Sequence, residues 1–349
     1  LPCRQQSHHL TAWAIAKFRS TAIHCGISLE SQMWRSTNDA GGVAGSIRRV
    51  WQWSYASDYV GFALLLAVYT YVQFFVEPFH RMFSLDDHAK QYPHAIVQRV
   101  SSRENIIWAG GGPLVLIMVW SLVFRPGLHK AHVTILGLLI SLFLASLLTD
   151  IIKNAVGRPR PDLIARCKPE PGTPEHQLVT ISVCTETDHH TLHDGWRSFP
   201  SGHSSWAFSG LGYLALFLAG QLRIFRPHAD LAKVMVVLAP LVGASLIAMS
   251  RLADYRHDVF DVTCGSLLGM LVAYFSYRRY YRPLKHPRCE IPYPNPADCA
   301  AARIASKARD LEQQTNGEYS LDDLSEDEVL AYPLTHAQSP RTDEQSAHA

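Results

Sequence analysis

The sequence predicts an all-α membrane protein, a bundle of six transmembrane helices between polar termini. Charged residues make up 18% of the 349 residues and apolar residues 48%, whereas soluble domains carry about 25% charged residues. Six apolar stretches approach the length of roughly 17–25 residues that crosses a bilayer. A buried core helix explains any one of them, but six separated by polar loops favour membrane crossings. They cover residues 59–76, 106–124, 133–152, 205–220, 234–249 and 262–277.

Polar segments flank this predicted bundle on both sides. We assign residues 1–54 to a polar N-terminal extension, 55–282 to the membrane domain and 283–349 to a cytoplasmic tail. The tail is first rich in proline and then acidic, with ten acidic residues and one basic residue from Asp310 onward. Such a composition buries too little apolar surface to fold alone, so we expect disordered termini.

The charge balance and the cysteine count exclude several classes of protein. The chain has 32 basic and 30 acidic residues, so it lacks the basic excess of a nucleic-acid-binding protein. Its seven cysteines are too sparse for a disulfide scaffold. The sequence also holds no Walker loop, kinase motif set, zinc-ligand spacing or carboxylate-rich magnesium site. We therefore expect no nucleic-acid partner, no cofactor and no metal.

An even number of crossings places both termini on the same side of the membrane. Lys and Arg are denser in the short flanks on that side than in the long opposite loops, which favours cytoplasmic termini. Three polar clusters at the ends of the crossings then share the luminal or extracellular face, where they can form one site. The membrane is predicted to be an endomembrane (vacuole or endoplasmic reticulum) or the plasma membrane.

The first two clusters supply groups that bind anions. Lys153 and Arg160 follow the third crossing, and the prolines on both sides of Arg160 predict that the segment bends there. Arg binds phosphate oxygens in pairs, whereas Lys acts as a point charge. Ser201, Gly202 and His203 begin the fourth crossing. With Ser201 as the N-cap, the unpaired N–H groups and the helix dipole favour an anion there.

The third cluster supplies a nucleophile and a carboxylate to orient it. His257 and Asp261 are four residues apart, a spacing that places them on one helical face. A carboxylate bonded to one imidazole nitrogen leaves the other nitrogen free to act as nucleophile or base. Arg251 adds a cation. Each cluster alone also fits a basic helix end, a capped helix start or a surface contact. Together they suit phosphoryl transfer through a covalent intermediate.

Residues 55–282 resemble the type 2 phosphatidic acid phosphatases, also called lipid phosphate phosphatases. The signature of that family is Lys-x6-Arg-Pro, then Pro-Ser-Gly-His, then Ser-Arg-x5-His-x3-Asp. Any one part is a weak signal, but all three are complete here and in order. The neighbouring residues resemble the fungal diacylglycerol pyrophosphate phosphatase branch. The matching positions are Lys153, Arg160 and Pro161; Pro200, Ser201, Gly202 and His203; and Ser250, Arg251, His257 and Asp261.

The resemblance implies the helical fold of that family and its haloperoxidase-like relatives, with a mechanism that needs no metal. His257 would attack phosphorus and form a phosphohistidine, Asp261 would polarise it, and His203 would protonate the leaving lipid hydroxyl. The implied activity is hydrolysis of phosphatidate to diacylglycerol, and of diacylglycerol pyrophosphate to phosphatidate, on phospholipid delivered by the bilayer. The groups implied to hold the phosphoryl oxygens are Lys153, Arg160, Arg251, Ser201 and Gly202.

Two alternatives stay open at the level of sequence. The substrate could be another lipid phosphate, such as a sphingoid base phosphate or a polyprenyl pyrophosphate. The chain could also be a catalytically silent homologue that binds phospholipid, although the intact set of His203, His257 and Asp261 argues against it.

Three features outside the signature carry weaker predictions. A His-rich stretch at 188–194 invites a metal-site interpretation, which its polar context disfavours. Cys167 and Cys184 lie in one extracytoplasmic loop, where a disulfide can form. Arg158 and Arg256 flank the signature cations and could touch the second phosphate of a pyrophosphate substrate.

Overall fold

The computed structural model describes residues 55–227, 229–294, 299 and 302–312. Within these ranges the chain is helical, and its β pairing is limited to three isolated bridges. Ser54–Tyr293 form one compact unit. In the second unit, which combines both ends of the chain, residues 302–312 are helical. The predictions for the N-terminal extension and for most of the acidic tail concern residues outside the described part.

Six long helices account for most of the described residues, and each overlaps one predicted crossing. Five are long and apolar enough to span a membrane, which supports a multi-pass membrane protein. The exception is the fourth helix, which begins with a polar turn and buries most of its residues inside the bundle. The helices are α1 Ala56–Phe75, α2 Ser102–Phe124, α3 Leu128–Val156, α4 Gly202–Leu222, α5 Leu231–Ala253 and α6 Val259–Tyr280.

Helix α4 lies at the centre of the bundle and packs most closely against α6. A Cβ atom added to Gly265 would lie 2.5 Å from the carbonyl oxygen of Ser201, and one added to Gly269 would lie 2.3 Å from that of Ser205. The two glycines therefore let the backbones of the two helices approach closely. This contact holds the start of α4 beside the start of α6.

Helix α3 ends where the prolines predicted a bend. Its C-cap is Gly157, which adopts a left-handed φ of +57° that favours glycine. A Cβ atom at this position would also collide with the carbonyl oxygen of Phe79, at 1.8 Å. The Phe79 amide in turn donates to the carbonyl of Asn154 at 2.9 Å. The segment that follows α1 is thereby held against the end of α3.

Helix α2 begins four residues before the predicted crossing. Ser101 and Glu104 form a reciprocal capping box at its start, a pattern that the sequence Ser-x-x-Glu predicts. Its next turn, Ile106–Gly111, is π-helical before α-helical geometry resumes. There Gly110 lies against the Trp206 ring of α4.

The loop between α3 and α4 folds over the ends of the helices around a small core of its own. Trp196, Phe83 and Leu163 are fully or almost fully buried there. Cys167 and Cys184 form a disulfide in this loop. The Trp196 indole N–H donates to the backbone carbonyl of Arg81 at 2.8 Å, which ties this loop to the segment after α1.

Candidate active site

The three polar clusters meet at one end of the bundle. Arg158, between α3 and α4, donates to Asp261 Oδ1 at 2.6 Å and to Asp258 Oδ2 at 2.9 Å, both at the start of α6. The Ser201 amide at the start of α4 donates to the backbone carbonyl of Asp261 at 2.9 Å. Segments up to about a hundred residues apart therefore form one site.

His257 lies in the turn between α5 and α6 and is only 4% exposed. It lines a cavity of about 490 Å³, within the usual size range of a ligand pocket. The cavity wall combines signature residues with residues of the segment after α1. Its lining includes Arg81, Lys90, Tyr92, Arg158, Ser198 and Asp261.

The surroundings of His257 keep its imidazole neutral. Burial is the largest cause and lowers the pKa of His257 to about 4, and the nearby cations Arg160 and Lys153 act in the same direction. Asp261 opposes them by favouring the charged form. A neutral imidazole has the lone pair that a nucleophile needs.

Asp261 is held by several donors at the beginning of α6. Its Oδ2 accepts from the Ser198 hydroxyl at 2.6 Å and from the Asp258 amide at 3.0 Å. Asp258 and Asp261 together form the capping box of this helix. His257 precedes the helix and does not share a helical turn with Asp261 as the spacing predicted. Its Nδ1 lies 3.8 Å from Asp261 Oδ2, farther than a hydrogen bond.

The start of α4 has the predicted capped geometry. Ser201 is the N-cap, and its hydroxyl accepts from the Ser204 amide. A Cβ atom on Gly202 would lie 2.9 Å from the Lys153 ammonium, so the absence of a side chain lets this cation reach the helix start. His203 is in the first turn, and its buried Nε2 has no hydrogen-bond partner within the described chain.

The two remaining signature cations are held by carboxylates. Arg160 is 5% exposed and donates to Asp194 at 2.7 Å. Arg251 is 1% exposed and donates to Asp254 at 2.7 Å and to the Gln98 side chain at 2.9 Å. Both arginines therefore have fixed orientations. All eight predicted site residues thus lie at this end of the bundle, but of the eight only His257 and Asp261 line the cavity.

Comparison with known proteins identifies the family. The PAP2 superfamily profile matches residues 134–285. A probable diacylglycerol pyrophosphate phosphatase 1 of Schizosaccharomyces pombe is 41% identical over 243 residues, 69% of this chain and 86% of that protein. The chain belongs to the PAP2 superfamily.

Two further PAP2-related proteins show how far the similarity extends. The diacylglycerol pyrophosphate phosphatase 1 of Saccharomyces cerevisiae is 39% identical over 228 residues, which are 64% of this chain and 79% of that protein. Lipid phosphate phosphatase 2 of Arabidopsis thaliana is 37% identical over 231 residues, covering 64% and 77% of the two chains. No solved structure matches the chain.

Asp194 is an important site residue that lies outside the PAP2 signature. It binds Arg160, accepts from Arg166 at 3.1 Å and lies 3.6 Å from Arg256. Burial alone would raise the pKa of Asp194, but the surrounding guanidinium groups, above all Arg160 and Arg166, lower it well below its usual value. The sequence singled out the stretch 188–194, which contains Asp194, only as a candidate metal site. Among the described residues, no group of three or more His, Cys, Asp or Glu could hold a metal.

The sequence did not predict two further contacts of the candidate site residues. Gln98, which binds Arg251, and Ser198, which binds Asp261, lie in polar segments with no periodic pattern to mark them. Arg158, predicted to touch a second phosphate, is bonded to two carboxylates, and Arg256 lies beside Asp194. Both therefore pair with carboxylates as Arg160 and Arg251 do.

Proposed function

We infer that this protein is an integral-membrane lipid phosphate phosphatase that hydrolyses phosphatidate to diacylglycerol and diacylglycerol pyrophosphate to phosphatidate. The names of its relatives, which include diacylglycerol pyrophosphate phosphatases and lipid phosphate phosphatases, support this activity. The observation that carries the proposal for this chain is the state of His257. It is buried and neutral, and it lies at the wall of a cavity that Asp261 and Pro161 of the signature also line.

The proposed reaction has two steps. In the first, Nε2 of neutral His257 attacks phosphorus, and the bond from phosphorus to the lipid oxygen breaks with its electron pair on that oxygen. His203 donates a proton to the leaving oxygen. In the second step, His203 accepts a proton from water, which attacks the phosphohistidine and releases phosphate. Asp261 orients His257 and balances the positive charge that forms on its ring.

The remaining signature groups neutralise the charge of the phosphoryl oxygens. We assign this role to the cations Lys153, Arg160 and Arg251 and to Ser201 and the Gly202 amide. Two buried nitrogens, Arg160 Nε and His203 Nε2, have no partner among the described residues, and buried polar groups normally do have one. Such donors suit a phosphate. In this proposal, side chains neutralise the negative charge of the phosphoryl oxygens, and the reaction therefore needs no metal.

The apolar helices support a proposal for the placement in the membrane. We propose that α4 crosses the bilayer with the other five, so that the chain has six crossings and both termini are cytoplasmic. The site then opens on the luminal or extracellular side of an endomembrane or of the plasma membrane. The bilayer supplies the lipid laterally, with its head group in the cavity and its acyl chains between lipid-facing helices.

The test is phosphate release from lipid in detergent micelles, by the purified full-length protein, with and without a chelator. We expect release in both conditions, and a covalent phosphoryl label on the wild type that is missing from His257→Ala. The matched control is Arg103→Gln, at an exposed position outside the cavity. If the wild type releases no phosphate, the alternative of a catalytically silent lipid-binding homologue is favoured. Loss of phosphate release in the presence of the chelator would refute metal independence. Label retained on His257→Ala would refute the assigned nucleophile.

A further inference from the structure

One wall of the cavity comes from outside the residues that match the PAP2 profile. This outer wall is the segment 79–92, between α1 and α2, whereas the profile begins at residue 134. Backbone hydrogen bonds fix it in place, including a two-way pair between Phe83 and Val179 at 3.1 and 2.8 Å. The Tyr92 amide donates to the carbonyl of Pro161 at 3.1 Å, and the Tyr92 ring stacks on Tyr255 with centroids 4.5 Å apart.

The outer wall brings two cations to the cavity, and their situations differ. Lys90 forms an ion pair with Asp87, which also lines the cavity. Arg158, from the inner wall, is bonded to Asp258 and Asp261. Arg81 lines the same cavity and is exposed, and its guanidinium forms no hydrogen bond or ion pair with any residue in the described part of the chain. Arg81 is thus the lining cation whose charge is not already matched.

Contacts of the neighbouring backbone fix the position of Arg81. Its backbone carbonyl accepts from the Trp196 indole at 2.8 Å, and Phe79, two residues earlier, lies against Gly157 at the end of α3. Gly157 directly precedes Arg158. The packing therefore holds Arg81 close in space to the signature segment while leaving its side chain unpaired.

We propose that Arg81 binds the inner phosphate of a pyrophosphate-bearing lipid, the phosphate that stays on the lipid when the terminal one is attacked. The proposal deepens the function inferred above and rests on it. It adds Arg81 to Arg158 and Arg256, the cations that the sequence suggested for a second phosphate. Arg81 is accordingly a specificity-determining residue that favours pyrophosphate lipids over monophosphate lipids.

The chemistry of the leaving group explains this selectivity. In diacylglycerol pyrophosphate, His257 attacks the terminal phosphorus and its bond to the bridging oxygen breaks. The electron pair goes to that oxygen, so negative charge grows on the inner phosphate, where a guanidinium stabilises it. In phosphatidate the leaving group is a glycerol oxygen that receives a proton from His203. It presents no anion to Arg81.

The test compares the two lipids with purified full-length protein in mixed micelles. Arg81→Gln should lower kcat/KM for diacylglycerol pyrophosphate by about tenfold or more, the usual effect of losing a charge-assisted hydrogen bond. The value for phosphatidate should stay close to wild type. Arg81→Lys should recover part of the loss, and Arg103→Gln, which removes the same charge outside the cavity, should change neither value.

Two soluble inhibitors test phosphate binding without any effect of how the micelle presents the lipid. Methylenediphosphonate and inorganic phosphate are tested as competitive inhibitors of phosphatidate hydrolysis. Arg81→Gln should raise the inhibition constant of the diphosphonate and leave that of phosphate unchanged.

Equal losses on both lipids, or no loss on either, would overturn the subsite while leaving the phosphatase function intact. Wild type that hydrolyses phosphatidate but not the pyrophosphate lipid would also overturn it. Wild type that hydrolyses neither lipid would refute the proposed function itself.

Discussion

The two ends of α6 both carry charged and aromatic groups, but they satisfy them differently. At the C-terminal end, Arg279 and Tyr280 both bind Asp58 of α1, the Tyr280 hydroxyl at 2.7 Å. The Tyr281 hydroxyl lies 2.6 Å from that of Thr134. At the N-terminal end, Arg158 pairs with Asp258 and Asp261. His257 Nδ1 has no hydrogen-bond partner among the described residues, and the nearby Lys153 ammonium at the end of α3 has no hydrogen bond or ion pair with them.

This difference distinguishes an end that forms structural contacts from the end that carries the candidate active site. An ion pair between a cation and a protein carboxylate, such as Arg279 with Asp58, stabilises the fold. A cation or ring nitrogen that the protein leaves unpaired is costly to bury, and such groups mark functional sites. The same helix therefore anchors the bundle at one end and borders the candidate active site at the other.

The largest expected effect on activity is that of Asp261→Asn at the N-terminal end of α6. The same substitution at the other end, Asp58→Asn, serves as its comparison. Asp261→Asn should lower kcat/KM about a thousandfold, because an amide neither orients His257 nor balances its positive charge as a carboxylate does. Asp58→Asn should leave kcat/KM unchanged and lower the melting temperature, since the lost pair contributes about 1–2 kcal/mol. Phosphate release and thermal unfolding of both proteins give the comparison. A similar loss of activity in Asp58→Asn would remove the distinction between the ends.

A smaller effect is expected at Asp194, which positions Arg160 without being assigned a contact with substrate. Asp194→Asn should lower kcat/KM by about ten- to a hundredfold, the scale of a displaced catalytic group. If Asp194 acts through Arg160, the double variant with Arg160→Ala should be hardly worse than Arg160→Ala alone. Additive losses in that double-mutant cycle would contradict the positioning role.

The pH dependence tests the electrostatics around His257. The pKa of His257 is lowered to about 4, whereas the usual value for histidine is about 6.5. Its neutral, nucleophilic form therefore persists down to about pH 4. The acid limb of the pH profile of kcat/KM should lie near that pH. Removing a cation that lowers this pKa must raise it. Arg160→Gln should therefore move the acid limb to higher pH, whatever its effect on the maximum rate.

The control for this profile is Arg103→Gln, whose acid limb should coincide with that of wild type. Ionisation of the substrate phosphate affects all three proteins equally, so it cancels when their profiles are compared. An acid limb that does not move in Arg160→Gln would show that Arg160 does not act on the ionisation of His257.

The smallest effect on catalysis is expected at the disulfide. Its two cysteines are 17 residues apart, and a loop of this size predicts a stabilisation of about 3 kcal/mol. The double variant Cys167→Ser/Cys184→Ser should unfold at lower temperature and keep its kcat/KM at 25 °C. A large loss of activity at that temperature would instead show that the loop must be cross-linked to hold Asp194.

Local sequence patterns were sufficient to predict a large part of the site. The bend after α3 and the Ser201 cap depend on residues within one turn of each other, and both are confirmed. Glycine two residues before a proline favours the end of a helix, and serine before an apolar run favours the start of one. Apolar length alone located all six long helices, although only five meet the criterion for crossing.

The contacts between distant polar segments could not be predicted in the same way. Arg158 had several carboxylates within the same loops as possible partners, and no pattern selects Asp258 and Asp261 among them. The segment 79–92 has no apolar periodicity, and its place at the cavity depends on Gly157 and on the Trp196 side chain. The Ser101–Glu104 capping box, in contrast, is a local pattern that predicts the observed start of α2.

The capping box at the start of α6 links local flexibility to chemistry. Helix ends fray more readily than any other part of a helix, and fraying here would break the hydrogen bond between the Asp258 amide and the Asp261 carboxylate. A molecule with only this turn open would keep its bundle and lose its oriented histidine. Heat should therefore inactivate the protein at a temperature below that of global unfolding. A bound phosphate analogue should bring these two temperatures closer together.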